Sequence, residues 1–519
     1  MPGKPNVTLL LMLLNSGFYA ANCGSACAVR HTWHGFVCVC NATHYDTIQL
    51  VEKPLNKHSF VLYTTTKFGD VFKVKYGSFN QHQTCCSSDC YITINPYEKH
   101  QEIYGFGGSF TDATGINMAS LSRRAQYNLI RSYFGSDGIE YTLGRVTIGG
   151  SDFSDHPYTL DDHPYDYQLK CFRLSPEDYK YKIPFIRLAQ AVSCKRVLLI
   201  GSAWSAPAWM KTNHNITGYG FLKTEFYRLW AEYHIKFLKA YKSEGIDFWA
   251  LTTGNEPIIN YLKFIKFNKM GWYPEDQGKW IVDDLGPLMR KHFKNCKIIG
   301  LDDQRPLLHH WTSRIFSVKN ASDYVDGFGL HWYHDECKLA TVLTKFRKKY
   351  PKKFLLSTEA CEGFQPWAAG VQLGSWQRGM SYMESTMEHM NHNTSGWIDW
   401  NMALDLSGGP NWVNNVVDSP VVVNASGDEF YKQPMFYALG HFSKFIGSCA
   451  VRIGWQMMGG AKCSDVTATA VQNKDGSVVV VLHNSADCGK VLNIEDPLKG
   501  VAKITVKPKS FTTMMYWYY

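Results

Sequence analysis

A (β/α)8 TIM barrel with an associated antiparallel β-sandwich-like domain, built from both ends of the chain, is the fold this sequence predicts. Three observations predict it. Strand-like apolar runs recur eight times between Ile103 and Leu404, the segments between them are mostly helical in period, and short alternating strands flank the stretch on both sides. Eight βα units in about 300 residues match a closed parallel barrel, which takes ~250 residues plus insertions.

The eight runs are Ile103–Phe106, Tyr141–Ile148, Arg196–Ile200, Asp247–Thr253, Lys297–Leu301, Val325–Trp332, Phe354–Ser357 and Trp397–Leu404. Between them, Thr224–Glu244 sets Phe226, Leu229, Trp230, Tyr233, Phe237, Leu238 and Tyr241 along one helical face. Ile259–Gly271 lacks such a period and is expected as a loop at the barrel rim; Asp405–Gln433 is expected as a long loop before a last helix, Met435–Ile446. Upstream, FVLYTTT, VFKVKYG and CYITIN alternate as strands, and downstream VTATAV and SVVVVLH flank the hairpin turn Asn473–Gly476. The expected division is therefore a signal peptide at 1–21, a cysteine-rich segment with strands at 22–98, the barrel at 99–447 and the completing strands at 448–519.

With 519 residues, 45% hydrophobic and 19% charged, the chain has the composition of a large globular core. The net charge of +9 is scattered, and no basic motif of the nucleic-acid-binding type occurs. A mild attraction to anionic membrane surfaces is compatible with it. Aromatics at 14% suit stacking on sugar faces or lipid as well as core filling. Lys4, the apolar stretch Val7–Leu14 and the small pair Ala20 and Ala21 form a secretory signal peptide. No later run reaches the ~20 apolar residues of a spanning helix. The C-terminal TTMMYWYY is no retention signal of the KDEL type, so the expectation is a lysosomal or secreted soluble protein with peripheral membrane contact.

Fifteen cysteines fit an oxidising route, and an odd number leaves at least one thiol unpaired. Cys23, Cys27, Cys38 and Cys40 crowd together, with His31 and His34 nearby, and Cys85, Cys86 and Cys90 form a second group. Secretion favours disulfides over a zinc site there. Sequons at Asn41, Asn215, Asn320, Asn393 and Asn424 predict surface positions and glycans.

Two stretches carry the chemistry. LTTGNEP (Leu251–Pro257) ends an apolar run in Glu256, and FLLSTE ends another in Glu359. A carboxylate at the end of a buried strand must be solvated, paired or used. In the eight-strand count these acids follow strands four and seven, so they face one another across the C-terminal mouth of the barrel. Two opposed carboxyl groups there can hydrolyse a glycoside: at ~5–5.5 Å with retention, at ~6.5–9.5 Å with inversion. Asn255 adds an amide donor and acceptor beside Glu256. Other patterns lose on inspection. GFGG (Gly105–Gly108) lacks the rest of a phosphate-binding loop, and Cys361 reads as a packed neutral side chain. His331, His334, Asp335 and Cys337 look like metal ligands, but HWY at a strand end already has a use, so neither metal nor cofactor is expected.

YGFGGSFTDA, SAWSAPAWMKTN, LTTGNEP, LDDQR, HWY, STEAC, GWIDWNMAL, GGPNWVNN and YKQPMFYALGHFSKFI, in this order, resemble the glucosylceramidase branch of family-30 glycoside hydrolases, the lysosomal acid β-glucosidases, from about Cys38 to the C-terminus. The resemblance implies a retaining double displacement on glucosylceramide, with Glu359 as nucleophile and Glu256 as acid and then base. It further implies that Asp152, Trp204, Asn255, Trp400 and Asn415 contact the glucose, that Tyr333 bonds the nucleophile with His331 and Trp332 nearby, and that anionic lipid and a saposin-type activator assist. The N-terminal cysteine pattern departs from the family at His44 and Tyr45, and a rearranged pairing such as Cys27 to Cys40 is the expectation. Ile259–Phe267 and Glu362–Gln365 also differ, which leaves lipid preference and activator dependence open. Competing expectations are an exo-acting β-xylosidase or soluble β-glucosidase of the same family, and a catalytically silent glycolipid-binding protein.

Overall fold

The computed structural model describes residues 25–49, 53–80, 90–365, 367–368 and 370–518. The expected signal peptide, Cys23, Cys85 and Cys86 lie outside them. In chain order the strands are β1 (Val29–His31), β2 (Phe36–Asn41), β3 (Ser59–Thr66), β4 (Lys73–Ser78) and β5 (Cys90–Ile103); then β6 (Gly105–Phe110), β7 (Leu143–Ile148), β8 (Leu198–Ala203), β9 (Ala250–Thr252), β10 (Lys297–Gln304), β11 (Gly327–His331), β12 (Phe354–Glu359) and β13 (Thr394–Asn401). After these come β14 (Ala403–Asp405), β15 (Val421–Asn424), β16 (Glu429–Lys432), β17 (Ala450–Met458), β18 (Val466–Gln472), β19 (Ser477–Asn484), β20 (Lys490–Asp496), β21 (Gly500–Val506) and β22 (Ser510–Trp517).

Strands β6 to β13 close into an eight-stranded parallel barrel. Each expected run contributes a strand. The helix Tyr227–Ser243 buries Leu229, Trp230, Tyr233, Phe237, Leu238 and Tyr241, the face its 3.6-residue period sets out. Inside the barrel Leu143, Ile200, Ala250, Ile299, Leu356 and Ile398 form one apolar cluster. Two residues further along the same strands, alternation brings Arg145, Ser202 and Thr252 to the same interior face, so the layer above the apolar floor is polar. β6 and β13 approach so closely that a Cβ on Gly396 would lie 2.3 Å from the Gly105 carbonyl oxygen.

The chain ends do pair. A nine-stranded sheet runs in the order β21-β20-β5-β17-β18-β19-β22-β3-β4, with β18 and β19 as the expected hairpin. A disulfide between Cys90 and Cys463 ties β5 to the turn after β17.

Two expectations are corrected. Asp405–Gln433 is not all loop: the apolar Val421–Val423 pairs with β14 on one side and β16 on the other, and β16 in turn pairs with β2, which makes a five-stranded sheet with β1. The N-terminal disulfide is Cys27–Cys38, not Cys27–Cys40; the Cys40 thiol is buried and turns to Asp46, with Sγ 3.5 Å from Oδ1. Among the sequons, Asn215 and Asn320 are exposed, whereas Asn41, Asn393 and Asn424 are half-buried. Asn424 spends its amide on the Tyr431 hydroxyl at 2.9 Å.

Beneath the loop that follows β7, Lys182 is fully buried between Asp112 and Asp178, at 3.2 and 3.3 Å. Its Nζ also donates to the carbonyls of Thr147 and Gly149. Removing one partner of a buried pair leaves uncompensated charge, whereas an exposed pair contributes little. Lys182→Met is therefore expected to destabilise the protein by about 3–5 kcal/mol. Thermal denaturation beside Arg228→Ala, which breaks only the exposed pair with Glu232, checks this; equal melting temperatures for the two variants would contradict it.

Candidate active site

The polar layer is centred on Arg145, on β7. Its guanidinium, fully buried, donates to Glu359 Oε2, to Asp302 Oδ2 at 2.8 Å, to Asn255 Oδ1 at 2.7 Å and to Ser202 Oγ at 3.3 Å. Four strand ends therefore converge on one cation. Asp302 reaches it through a bulge: β10 shifts register against β11 between Leu301 and Asp303, and Leu301 and Asp302 adopt φ of 67° and 55°. Left-handed backbone at non-glycine residues costs energy, and a bulge re-aims the side chain it carries.

Glu256 follows a similar distortion. Gly254 has φ +126°, open only to glycine, and Glu256 itself sits at φ 41°, ψ 61°, its N–H bonded to the Asp302 carbonyl at 2.9 Å. Its Oε1 accepts from Gln304 Nε2 at 2.7 Å and from His331 Nδ1 at 2.8 Å. The other nitrogen of His331 lies 3.2 Å from Asp302 Oδ1, and Nδ1 is also 3.8 Å from Glu359 Oε1. Burial works against a charged imidazole, yet the carboxylates of Glu359, Asp302 and Glu256 push His331 up to about 10. It is thus an imidazolium that donates from both nitrogens.

Glu359, the last residue of β12, accepts from the Tyr333 hydroxyl at 2.8 Å on Oε1 and from Arg145 on Oε2. Burial raises its carboxyl above the usual range, while His331, Arg145 and the Tyr333 hydrogen bond pull the other way. A carboxylate oxygen of Glu256, one of Glu359 and a ring nitrogen of His331 all lie within 4.8 Å of one another. The two carboxyl groups are therefore close neighbours at the barrel mouth, as a glycoside-hydrolysing pair must be. A divalent cation at this triad would have to displace the proton on His331 and sit beside Arg145.

The other expected residues gather around the pair. Trp204, just past β8, and Trp400, on β13, stack with centroids 5.0 Å apart and planes at 17°, and the Arg145 guanidinium lies 4.8 Å from the Trp204 ring centre. Both indoles share a cluster with Phe153, Cys361 and the flanking Tyr333, Phe267 and Phe364. Asp152, past β7, accepts from Asn415 Nδ2 at 2.8 Å. Burial, partly offset by that hydrogen bond, raises Asp152 to about 7, and the charges of Glu359 and Glu256 add to the rise. Asn255 turns its carbonyl oxygen to Arg145. All eight expected residues thus converge on one end of the barrel.

Arg145, Ser202, Asp302 and Gln304 were not among the expected site residues. A lone charge inside the apolar run Tyr141–Ile148 was the available signal for Arg145, and the LDDQR motif for Asp302 and Gln304. Asp303, next to them, accepts from the backbone N–H of Ile258 at 3.0 Å and of Gln304 at 2.7 Å; burial and then the charge of Glu256 raise it to about 8.

Comparison with known proteins agrees with this geometry. Residues 103–446 match the glycosyl hydrolase family 30 TIM-barrel domain, and residues 450–514 the family's beta sandwich domain. The lysosomal acid glucosylceramidase of Mus musculus is 40% identical over 91% of this chain and 91% of its own length. SrfJ from Salmonella typhimurium superposes with a TM-score of 0.81 at 26% identity, over 89% of this chain and 100% of that one. The endo-beta1,6-glucanase BT3312 gives 0.79, also at 26% identity, over 89% and 99%. With a barrel model matched across most of its length and the sandwich model beyond it, the chain belongs to glycosyl hydrolase family 30.

Proposed function

We propose that this protein is a retaining glucosylceramidase, releasing glucose and ceramide from glucosylceramide through a glucosyl-enzyme ester. The single observation that carries the reading is the approach of Glu256 and Glu359 around His331, on a chain similar in sequence to a glucosylceramidase along nearly its whole length.

Glu359 is the nucleophile. Arg145 and Tyr333 fix its two oxygens and favour its ionised form, so the carboxylate is aimed at the anomeric carbon before substrate arrives. Glu256 is the acid and then the base. Gln304 and His331 both bond Oε1, which leaves Oε2 to carry the proton to the ceramide oxygen and later to take one from water. Charge balance supports a shared proton: Glu256, Glu359 and Asp302 face only two cations, Arg145 and His331, so one protonated carboxyl makes the five-group cluster neutral. Esterification of Glu359 removes one negative charge from beside Glu256 before the second step. Asp152, Asn255 and Asn415 bond the glucose hydroxyls, and Trp204 and Trp400 offer aromatic faces to the ring.

No helix among the described residues is long and apolar enough to cross a membrane. Peripheral contact is supported by the rim segment after Glu256. Tyr261, Leu262 and Phe264 are exposed there, with Lys263 and Lys266 interspersed, while Phe267 packs onto the Trp204–Trp400 cluster. We assign this segment to anionic lipid surfaces, and the chain to the lysosomal or secreted route as a glycoprotein with a cleaved signal peptide and a saposin-type activator.

A fluorinated glucoside that traps the ester is expected to label Glu359, located by peptide mass spectrometry, while Glu359→Gln abolishes both label and glucose release from glucosylceramide. Label on another residue, or preference for an aryl β-xyloside, would overturn the assignment of mechanism or of substrate. Loss of the Tyr333 hydroxyl removes a hydrogen bond that favours ionised Glu359. In Tyr333→Phe the acid limb of kcat/KM on an activated aryl glucoside therefore moves to higher pH, and an unmoved limb would show that Tyr333 does not tune the nucleophile. Sedimentation with phosphatidylserine vesicles is expected to pull down the wild type more than Phe264→Ser, with the difference retained at high salt; equal binding would remove the rim from the membrane reading.

A further inference from the structure

The structure divides the apparent ligand cluster His331, His334, Asp335 and Cys337. His331 belongs to the active site, and Asp335 turns to Arg305 and to His389 Nε2, the latter at 2.7 Å. His334 and Cys337 remain together on the rim and are joined by Glu336.

We propose that His334, Glu336 and Cys337 form a surface site for a borderline-soft divalent cation of the zinc type, placed so that its occupancy restrains the active-site rim. Glu336 Oε1 lies 3.7 Å from His334 Nδ1 and 3.7 Å from Cys337 Sγ, and the three ligand atoms all fall within 4.8 Å of one another. Zinc bonds of ~2.0–2.3 Å set the edges of a ligand tetrahedron at ~3.3–3.8 Å, so two of the three edges are already of the right length. An imidazole, a carboxylate and a thiol form a mixed set that suits zinc or cobalt(II) and not calcium or magnesium, which take oxygen ligands. All three residues are exposed, so the ion enters from solvent and keeps an open position for water. Binding needs no change of oxidation state: the cation replaces the thiol proton, which passes to the buffer.

The consequence follows from position. The three ligands lie on the short 3-10 turn Asp335–Cys337 and the residue before it, immediately after Tyr333, whose hydroxyl bonds Glu359. Asp335, between the ligands, is held by buried Arg305 at the end of β10. An ion on this turn cross-links a rim loop and holds it in one arrangement beside the mouth through which the leaving group departs. The inhibition expected from that rests on the hydrolase reading above; the binding does not.

Cobalt(II) titration of the purified full-length protein tests both parts. About one equivalent is expected to produce a thiolate-to-cobalt charge-transfer band that zinc bleaches by competition. Cys337→Ser removes the band, and His334→Ala weakens it. Zinc is expected to lower turnover of an aryl glucoside with the midpoint seen in the competition, reversibly on adding a chelator, while Cys337→Ser keeps its basal rate and becomes insensitive. A band that survives Cys337→Ser places the ion on another thiol and overturns the site. Binding with no change in rate overturns the coupling to the rim, and inhibition that survives Cys337→Ser without a band moves the ion to the Glu256–His331–Glu359 triad. If the hydrolase reading fails, no rate exists to inhibit, and the band alone decides the site.

Discussion

A fully buried guanidinium with no exit to water is the constraint that the rest of this active site obeys. Arg145 must be paired, since a lone charge in a barrel interior is strongly disfavoured. The pairing recruits Asp302 from β10, Glu359 from β12, Asn255 from the turn after β9 and Ser202 from β8. Each partner must then stand at one height in the barrel. The left-handed residues Leu301, Asp302 and Glu256 are consistent with that demand: ordinary strand geometry would point Asp302 and Glu256 elsewhere, and the ion pairs and hydrogen bonds offset the backbone cost. The placement of Glu359, the proposed nucleophile, is thus a by-product of satisfying one cation.

The same network gives two acids of the same type the different surroundings that their proposed roles require. Glu359 is bracketed by a guanidinium and a phenol on its two oxygens, while Glu256 is held on Oε1 alone by an amide and an imidazolium. His331 contributes in a particular way. With Asp302 fixing one nitrogen and Glu256 the other, it places a positive charge within reach of both glutamates without contributing a group that could itself compete as a nucleophile. Asp302, held well below the usual carboxylate range by Arg145 and His331 despite its burial, anchors both cations.

How far the sequence could be read follows from the same distinction between local and long-range causes. Glu256 and Glu359 were legible because each ends an apolar run and is followed closely by Pro or a Gly-containing turn, which is local information. The barrel was legible because every one of its strands overlaps a short, mostly apolar run of strand-forming residues. Strands β14 to β16 were not, since each is only three or four residues long, and their small ladder is extended into a sheet by β2, which pairs with β16 from nearly four hundred residues away in sequence. The cysteine pairing was not legible either: Cys38 and Cys40 stand two apart on β2, so spacing does not choose between them, and in the fold Cys38 pairs with Cys27 while the Cys40 thiol faces Asp46. Arg145 shows the limit most clearly. A single charge in a strand has no sequence partner at any fixed spacing, and its four partners are assembled only when the barrel closes.

The arrangement divides the protein into a floor that cannot vary and a rim that can. Arg145 and His331, which hold the two glutamates, are fully buried, and Gln304 and Tyr333 are half-buried beside them, so a substitution there leaves a charge or donor without its partner. Past the strand ends the demands relax. The segment carrying Tyr261 to Lys266 is anchored from below by Lys269, whose Nζ bonds the carbonyls of Ile259 and Leu262, so its outward side chains can change without disturbing that anchor. The His334–Cys337 turn is anchored in the same manner through Asp335 on Arg305. Sugar chemistry belongs to the floor, because the distances that govern acid and nucleophile are set by barrel closure. Selection of the leaving group belongs to the rim, where aromatic, cationic and metal-ligating side chains occupy positions that the barrel leaves unconstrained.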